Sequence, residues 1–323
     1  MFPPSPNPNL RGELKMRSRF LAMLAVLALA IGAAFVAGCG DDDDDGGDST
    51  SAAELTATPD IEQSVDQSIA SQVPEDIKSS GTLSVATDAT YPPEESIAPD
   101  GKTIIGADID LANSIAQLMG LNADVQNVTF DAIIPGIEAG KYDMGLSSFT
   151  DTKEREATVD FVTYQSVGTS FFVAADGGPD IQTLEDLCGH SVSMERGTTQ
   201  QYDAEAQKAK CASSGDGDVD VQVFPDQNAA TLAVTSGRAE VGMADTPPAL
   251  AVVQSSDGAL KISGKPYGPF PYGIALPKDS GLTQPTLDAV KALIDNGTYD
   301  KILEYWGLED EAIDNPQINA AIE

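Results

Sequence analysis

The 323-residue sequence has one histidine, His190, three cysteines and few basic residues, with 18 Lys and Arg against 51 Asp and Glu. A formal charge of −33 makes nucleic acid a very poor partner, because binding it depends on neutralising phosphates with Lys and Arg. The sequence contains no Gly-x-Ser-x-Gly, no His-Glu-x-x-His and no phosphate-binding glycine loop. The composition therefore argues against the common enzyme classes, and we expect no cofactor and no metal.

The first 38 residues have the three parts of a secretory signal. Arg17 and Arg19 precede an apolar run over residues 20–35, and small residues lead to Cys39. Val-Ala-Gly-Cys at 36–39 resembles a bacterial lipobox, which implies that Cys39 becomes the lipid-carrying first residue. We therefore expect 1–38 to be a lipoprotein signal peptide, with translation starting at Met1 or Met16. A transmembrane anchor is the alternative, but the run is short of the roughly 18 apolar residues that a span needs.

Residues 39–75 are predicted to form an acidic flexible tether. Five successive aspartates at 41–45 are followed by Gly, Ser, Thr and Ala up to about residue 71. Such a composition buries little apolar surface, and its like charges repel each other. A calcium site is the other interpretation of the aspartates, but the run lacks the spaced ligands and the terminal Glu of a calcium loop.

Strand and helix patterns alternate from about residue 76 onward. In a first set we predict strands at 82–87, 123–129 and 142–148 and helices at 108–119 and 130–139. In a second set we predict strands at 191–195, 219–224 and 240–244 and helices at 181–186, 199–211 and 226–236. A strand at 272–276 and helices at 282–296 and 299–306 follow. This alternation predicts an α/β fold with mostly parallel sheets and two lobes, 76–170 with 271–323 and 171–270.

Hydroxyl groups and one arginine cluster where the strand predicted at 142–148 gives way to a helix. Ser148 and Thr150 can donate hydrogen bonds at the strand end, and Arg155 offers a planar fork for a carboxylate. Ligands of parallel sheets bind beyond the carboxyl ends of the strands, so the position suits an anion site. The alternative is a surface arginine paired with Glu154 or Asp160.

Seven short motifs follow one another in order. They are Asp-Ala-Thr-Tyr-Pro-Pro at 88–93, Gly-Ala-Asp-Ile-Asp-Leu at 106–111, Phe-Asp-Ala-Ile-Ile-Pro at 130–135, Gly-Lys-Tyr-Asp at 140–143, Thr-Lys-Glu-Arg at 152–155, Gly-Thr-Thr-Gln at 197–200 and Tyr-Asp-Lys-Ile-Leu at 299–303. Over residues 81–308 they resemble the family 3 solute-binding proteins of polar amino-acid ABC importers. The resemblance implies a type II periplasmic-binding-protein fold, whose two lobes close like a hinge on an amino acid in the cleft between them. It further implies a monomer, lipid-anchored outside the cell membrane, that delivers its ligand to a membrane permease.

The resemblance also implies how the ligand's backbone is held. Arg155 would bind the α-carboxylate bidentately, together with Thr150 and the backbone amide of Thr199. The capping pattern of Thr198 and Gln201 agrees with this role, because it leaves N–H groups of a helix N-terminus free for a carboxylate. Ser148 and Asp245 would hold the α-ammonium group.

Three further residues are implied for the ligand's side chain. Tyr91 and Phe130 would be aromatic plates on its two sides, and Asp88 would reach its polar end. From spacing alone, Tyr91 and Phe130 are more typical of a core than of a ligand site. Asp88 is as typical of a turn as of a ligand site, and Asp245 also fits a helix start before Thr-Pro-Pro. With Arg155, the two aspartates leave a net charge of −1 around a zwitterion, which favours a basic amino acid, with glutamine next.

Two pairs of residues modify that expectation. Glu195 adds to the acidic bias, whereas Arg196 opposes it. Glu94 and Glu95 follow Pro93 where the family usually has Phe and then an acidic or apolar residue, which weakens inference about the pocket mouth.

Cys188 and Cys211 bracket a helix-like stretch. In an exported protein they can form a disulfide that stabilises the fold by roughly 3 kcal/mol. Two unlinked thiols are the alternative.

Two other functions are compatible with the same fold. One is an enzyme such as a cyclohexadienyl or arogenate dehydratase, for which Glu195 is the evident candidate acid. The other is a sensing module for a membrane receptor, which uses the same ligand clamp.

Overall fold

The computed structural model describes residues 61–322. The signal peptide, Cys39 and most of the predicted tether lie outside these residues, so what the sequence predicts for them stays a prediction. None of the helices in the described part of the chain has both the length and the apolar character needed to cross a bilayer.

Residues 61–322 form ten α-helices, two short 3-10 helices and eleven β-strands. The helices are α1 Gln67–Ala70, α2 Glu75–Ser80, α3 Ala107–Leu118, α4 Phe130–Glu138, α5 Lys153–Glu156, α6 Thr199–Ser214, α7 Gln227–Thr235, α8 Thr246–Ser255, α9 Thr283–Asp295 and α10 Thr298–Trp306. The 3-10 helices are Leu184–Leu187 and Glu309–Glu311. The strands are β1 Thr82–Thr87, β2 Thr90–Tyr91, β3 Glu95–Ile97, β4 Ile104–Ile105, β5 Asn122–Asn127, β6 Met144–Gly145, β7 Val159–Ala174, β8 Ser191–Glu195, β9 Asp220–Phe224, β10 Val241–Asp245 and β11 Leu260–Pro277.

Two sets of parallel strands define the two lobes. In lobe 1, β1 pairs in parallel with β5 and with β6. In lobe 2, β8 pairs in parallel with β9 and with β10. The α/β fold with two mostly parallel lobes, flanked by helices, is as predicted, and β2, β3 and β4 form a small separate sheet in lobe 1.

The two lobes share one hydrogen-bonded sheet. Its eight strands have the order β5-β1-β6-β11-β7-β10-β8-β9, and the antiparallel pair β7 and β11 joins the two parallel sets. The sequence predicted only 272–276 of β11 and none of β7. Residues 264–271 contain two glycines and three prolines, which is a composition typical of a loop. Gly264 and Gly268 both have positive φ. The strand continues through this segment with register shifts between residues 263 and 273.

The C-terminal helices pack against the sheet of lobe 1. Side chains of α3, α9 and α10 pack with β1 in one apolar core that includes Leu83, Ile115, Val290 and Trp306. The indole Nε1 of Trp306 donates a 2.7 Å hydrogen bond to Asp110 on α3. Because α10 lies more than 100 residues beyond α3 in the chain, this packing closes the lobe around its sheet.

Residues 61–75 are folded, in contrast to the tether predicted for them. Ile69 and Val73 are buried in the core of lobe 1, with Ile77 of α2. The backbone N–H of Asp66 donates to Leu118 O at 3.0 Å, and the Asp66 side chain caps α1. The prediction followed the polar composition of the segment and missed that its few apolar side chains are buried against lobe 1.

Cys188 and Cys211 are joined as a disulfide with their Cα atoms 5.6 Å apart. The bridge connects the end of the 3-10 helix Leu184–Leu187 to α6 of lobe 2. Both residues pack in the apolar core of that lobe with Val192 and Met243.

Replacing both cysteines with alanine is expected to lower the free energy of unfolding by about 3 kcal/mol, because the bridge closes a loop over a sequence separation of 23. Denaturant unfolding of the oxidised wild type and of the Cys188→Ala/Cys211→Ala variant measures the difference. The reduced wild type is the matched control, and it should behave like the variant. Equal stability of all three forms would show that the bridge contributes nothing.

Candidate functional site

A cavity lies between the two lobes. All eight ligand-binding residues proposed from the sequence line it, namely Asp88, Tyr91, Phe130, Ser148, Thr150, Arg155, Thr199 and Asp245. Glu95, Ser147, Glu195, Thr198 and Gln200 complete the wall. The structure thus brings the predicted residues together, while their contacts with a ligand stay predictions.

Arg155 connects the lobes at one end of the cavity. Its Nη1 donates to Thr150 O at 2.7 Å, and its Nη2 donates to Gly197 O of lobe 2 at 2.9 Å. The guanidinium carbon lies 5.4 Å from the ring centre of Phe130 and 5.3 Å from that of Phe149. Burial lowers the pKa of Arg155 to about 10, so the group is still cationic at neutral pH. The remaining N–H donors of its planar fork are available for a carboxylate.

Neither of the two alternative partners of Arg155 forms an ion pair with it within the described residues. Asp160 pairs with Lys278 at 3.2 Å, and no ion pair joins Arg155 to Glu154 within residues 61–322. Thr152 is the N-cap of α5, and its hydroxyl accepts the Arg155 N–H at 3.2 Å. This cap fixes the backbone from which the arginine side chain reaches into the cavity.

The N-terminus of α6 approaches Arg155 from lobe 2. Thr198 is the N-cap, and its hydroxyl accepts the Gln201 N–H at 3.3 Å. The Gln201 side chain in turn accepts the Gly197 N–H at 2.8 Å, one residue before the position expected for a capping box. A helix leaves its first N–H groups without intrahelical partners, so Thr199 and Gln200 supply donors suited to an anion.

Ser148 has a strained backbone and an unpartnered side chain. Its φ is 53°, a left-handed conformation that is uncommon outside glycine, and its N–H donates to Asp108 at 2.9 Å. The buried Ser148 Oγ has no hydrogen-bond partner among the described residues. Because an unpaired buried hydroxyl is costly, this oxygen is suited to accept a hydrogen bond from a ligand.

Asp245 accepts four hydrogen bonds from neutral groups. The donors are Tyr91 OH at 3.1 Å, Tyr272 OH at 2.7 Å, Thr169 Oγ1 at 3.1 Å and Gln200 Nε2 at 2.8 Å. Asp245 is also the N-cap residue of α8, as the helix-start alternative expects, but its side chain makes no capping hydrogen bond to that helix. Burial raises the pKa of Asp245, whereas the hydrogen bonds from Tyr272, Thr169 and Tyr91 and the charge of Arg155 act in the opposite direction.

Tyr91 and Phe130 belong both to the cavity wall and to apolar cores. Tyr91 packs with lobe 2 residues such as Phe172, and its hydroxyl accepts the Asp245 N–H at 2.8 Å. Phe130 stacks on Phe149 with ring centres 4.4 Å apart. The core alternative is therefore true of both residues, and their proposed role beside a ligand side chain stays a prediction.

Asp88 of lobe 1 and Glu195 of lobe 2 also line the cavity, and they interact with each other. Asp88 follows β1 in lobe 1 and accepts the Phe130 N–H at 2.8 Å. Glu195 ends β8 in lobe 2, and its carboxyl group hydrogen-bonds to Asp88. Burial and the charge of Asp88 raise the pKa of Glu195 to about 10, so one proton is shared by the two groups at neutral pH.

A second group of acids, the buried carboxyl cluster Glu94, Glu95 and Asp108, lies in lobe 1, and Glu95 also lines the cavity. Glu95 accepts from Ser147 Oγ at 2.8 Å, and Asp108 accepts from Tyr164 OH at 3.0 Å. Both oxygens of Glu94 lack hydrogen-bond partners among the described residues. Within residues 61–322 no group of acids, His or Cys has the arrangement of a metal site.

The pKa values in this cluster move upward because of burial. Burial and then the charge of Asp108 raise the pKa of Glu94 and of Glu95 well above 4.5. Burial raises the pKa of Asp108 to about 6. Sequence reasoning did not place Glu95 at the site and treated Glu195 only as an added acid near it, because a carboxylate at a strand end is usually solvated and only the fold shows that both are enclosed.

A two-lobed α/β protein whose interlobe cavity is lined by an arginine, a helix N-terminus and several carboxylates has the features of a binding protein for a small polar molecule. The sequence matches the bacterial extracellular solute-binding proteins, family 3, over residues 83–309. The chain belongs to this family.

Known relatives share both sequence and fold. The arginine-binding protein ArgT of Corynebacterium glutamicum is 32% identical over 252 residues, which cover 78% of this chain and 82% of ArgT. A solved structure of an ancestral arginine-binding protein bound to glutamine is 36% identical, with a TM-score of 0.65 over 71% of this chain and 99% of that one. An ancestral amino-acid-binding protein described as a precursor of cyclohexadienyl dehydratase is 30% identical, with a TM-score of 0.63 over 72% of this chain and 97% of that one.

Proposed function

We propose that this protein binds L-arginine in the interlobe cavity and delivers it to the permease of an ABC importer outside the cell membrane. The single observation that carries the proposal is that the cavity wall combines Arg155 and the α6 N-terminus with the buried acids Asp88, Glu195 and Asp245. Arg155 and the α6 N-terminus suit an α-carboxylate, and Asp88 with Glu195 suits a cationic side chain. Ser148 and Asp245 line the same cavity and suit the α-ammonium group. The arginine-binding name of the relative ArgT supports the same ligand.

A thermal-shift screen of the twenty amino acids, ornithine and citrulline is expected to give the largest shift with L-arginine. At 100 times its Kd, a ligand stabilises the folded protein by about 2.7 kcal/mol. Lysine and ornithine should give smaller shifts, because an ammonium group makes fewer hydrogen bonds to two carboxylates than a guanidinium does.

Agmatine is the matched control for this screen, since it is arginine without the α-carboxylate. It should give little shift, because it leaves Arg155 and the α6 N-terminus without an anion. A large shift with glutamate and none with arginine would reject the proposed ligand.

The proposal includes a lipid anchor at Cys39 and removal of residues 1–38. Support comes from the lipobox-like sequence at 36–39 and from the extracellular character of the family. The mass of the N-terminal peptide from membrane-extracted protein tests it: a peptide beginning at an unmodified residue would reject the anchor. We also propose that the protein acts as a monomer and without catalysis.

A dehydratase is the second candidate, because the protonated carboxyl of Glu195 faces the cavity and could act as an acid. The relative described as a dehydratase precursor gives this candidate a further basis. We expect no turnover of prephenate or arogenate by the purified protein, and measurable product would favour the enzyme.

A further inference from the structure

We propose that Glu195, together with Asp88, forms a subsite that holds either a cationic ligand side chain or a proton, and so selects arginine over neutral amino acids. This inference rests on the proposed function and adds a residue of lobe 2 to the specificity site. The argument has three steps, which concern the position of Glu195, the charges around it and the state of the pair when a neutral ligand binds.

The first step is that Glu195 is enclosed and incompletely bonded. It is 3% exposed and lines the cavity, and its Oε1 has no hydrogen-bond partner among the described residues. Its backbone is held by pairing with Phe224 on β9 and by the Thr198 hydroxyl, which donates to Glu195 O at 2.8 Å. A fixed, buried carboxyl oxygen without a donor is suited to receive one from a ligand.

The second step is that the groups facing the pair are mostly acidic. Asp131 on α4 and Asp226 at the N-cap of α7 both add negative potential at Glu195. Arg196 lies nearby but is engaged with Asp131 at 3.8 Å, and its side chain is 53% exposed. The surroundings therefore favour an added positive charge, whether it arrives as a proton or as a guanidinium.

The third step concerns closure on a neutral ligand. Asp88 and Glu195 belong to different lobes and meet only where the lobes are in contact. Two ionised carboxylates at hydrogen-bond distance in a buried site repel strongly, so closure without a cation requires one of them to be protonated. A guanidinium between them removes that requirement, because each carboxylate then accepts N–H hydrogen bonds from it. A neutral ligand therefore binds with the uptake of one proton from solution, whereas arginine binds without that uptake.

The expected result is a difference of about one bound proton between the citrulline and arginine complexes, as two carboxylates at this distance share one proton. Calorimetric titrations at pH 7 in phosphate and in Tris measure it, because the observed enthalpy varies with the ionisation enthalpy of the buffer in proportion to protons exchanged. Citrulline is the appropriate neutral ligand, since it has the shape of arginine without the charge. The Kd of citrulline should also rise with pH, by up to about tenfold per pH unit, at pH values where Glu195 is ionised in the open protein. The Kd of arginine should not rise in this way.

Glu195→Gln should abolish the proton difference and the pH dependence of citrulline binding. It should weaken arginine at least about 30-fold, because it leaves the guanidinium with one carboxylate. It should tighten citrulline, by up to about tenfold for each pH unit between the pKa of Glu195 in the open protein and the pH of the experiment, because no proton has to be taken up. Glu185→Gln removes the same charge from an exposed position of lobe 2 and should match the wild type. Asp88→Asn, which also leaves one carboxylate, should give the same loss of proton difference if Glu195→Gln folds poorly.

The possible outcomes separate this inference from the proposed function. Arginine binding with the same proton count as citrulline, or unchanged arginine selectivity in Glu195→Gln, overturns the subsite and leaves arginine binding intact. Failure of the wild type to bind arginine at all overturns both.

Discussion

Replacing Arg155 with alanine is expected to weaken arginine binding about 1,000-fold, which corresponds to about 4 kcal/mol, because it removes a charge-assisted bidentate contact and leaves the ligand carboxylate unpaired. The variant also loses the Nη2 contact with Gly197 O across the cavity. Isothermal titration with L-arginine measures the change in Kd. The melting temperature of the unliganded protein should change little, since the side chain lies at the cavity wall and not in the apolar core.

Two matched variants sharpen the test of Arg155. Arg155→Lys keeps the charge without the planar fork and should recover only part of the affinity. Lys153→Ala removes an exposed cation two residues away, which pairs with Glu156, and should bind normally. If Arg155→Ala unfolds while its folded fraction keeps normal affinity, the arginine is structural and does not bind the ligand.

Replacing Glu94 with glutamine is expected to raise the free energy of unfolding by about 1 to 3 kcal/mol at pH 8, because it removes a buried acid without hydrogen-bond partners. The direction of this change in the free energy of unfolding follows from the raised pKa of Glu94. The folded protein binds a proton at Glu94 more tightly than the unfolded chain does. The stability from this group is therefore fully present below pH 4.5 and decreases as pH rises from there through the folded pKa.

Urea unfolding between pH 4 and pH 9 tests the role of Glu94. The wild type should lose stability as pH rises through this range, and Glu94→Gln should lose less. Asp108, whose pKa is about 6, keeps part of the pH dependence in both proteins. Glu138→Gln is the control, because Glu138 is an exposed acid of the same lobe. An equal slope in wild type and Glu94→Gln would mean that Glu94 is ionised or hydrated in the folded protein.

The regular elements of each lobe could be predicted because their apolar periodicity is local. The predicted bounds of β1 and β8 are those of the structure, and the long helices agree within a few residues. The strand predicted at 142–148 is reduced to β6, since the chain turns away at Ser148 with its positive φ. The pairing of β7 with β11 was not predictable in this way, because it depends on contacts about 100 residues apart.

The candidate site was predictable where family motifs carried it and not where the second lobe decides the environment. Ser148, Thr150 and Arg155 follow from one continuous motif, and the structure gathers them in one wall. Glu195 has an ordinary strand-end sequence, so its enclosure depends on Asp88 of the other lobe. Glu94 was noticed only as a departure from the family pattern, and burial makes that departure energetically important.

The long strands β7 and β11 belong to both lobes, so movement of one lobe relative to the other deforms the sheet that they share. We expect opening of the cleft to bend the sheet common to both lobes where its pairing is irregular, between residues 263 and 273. The stiffness of that segment, with contacts such as Arg155 to Gly197, would then set the fraction of molecules that are closed before a ligand arrives. Apparent affinity scales with this fraction. Substitutions of Gly264 and Gly268, which do not line the cavity, can therefore change how tightly an amino acid is bound without altering the contacts that recognise it.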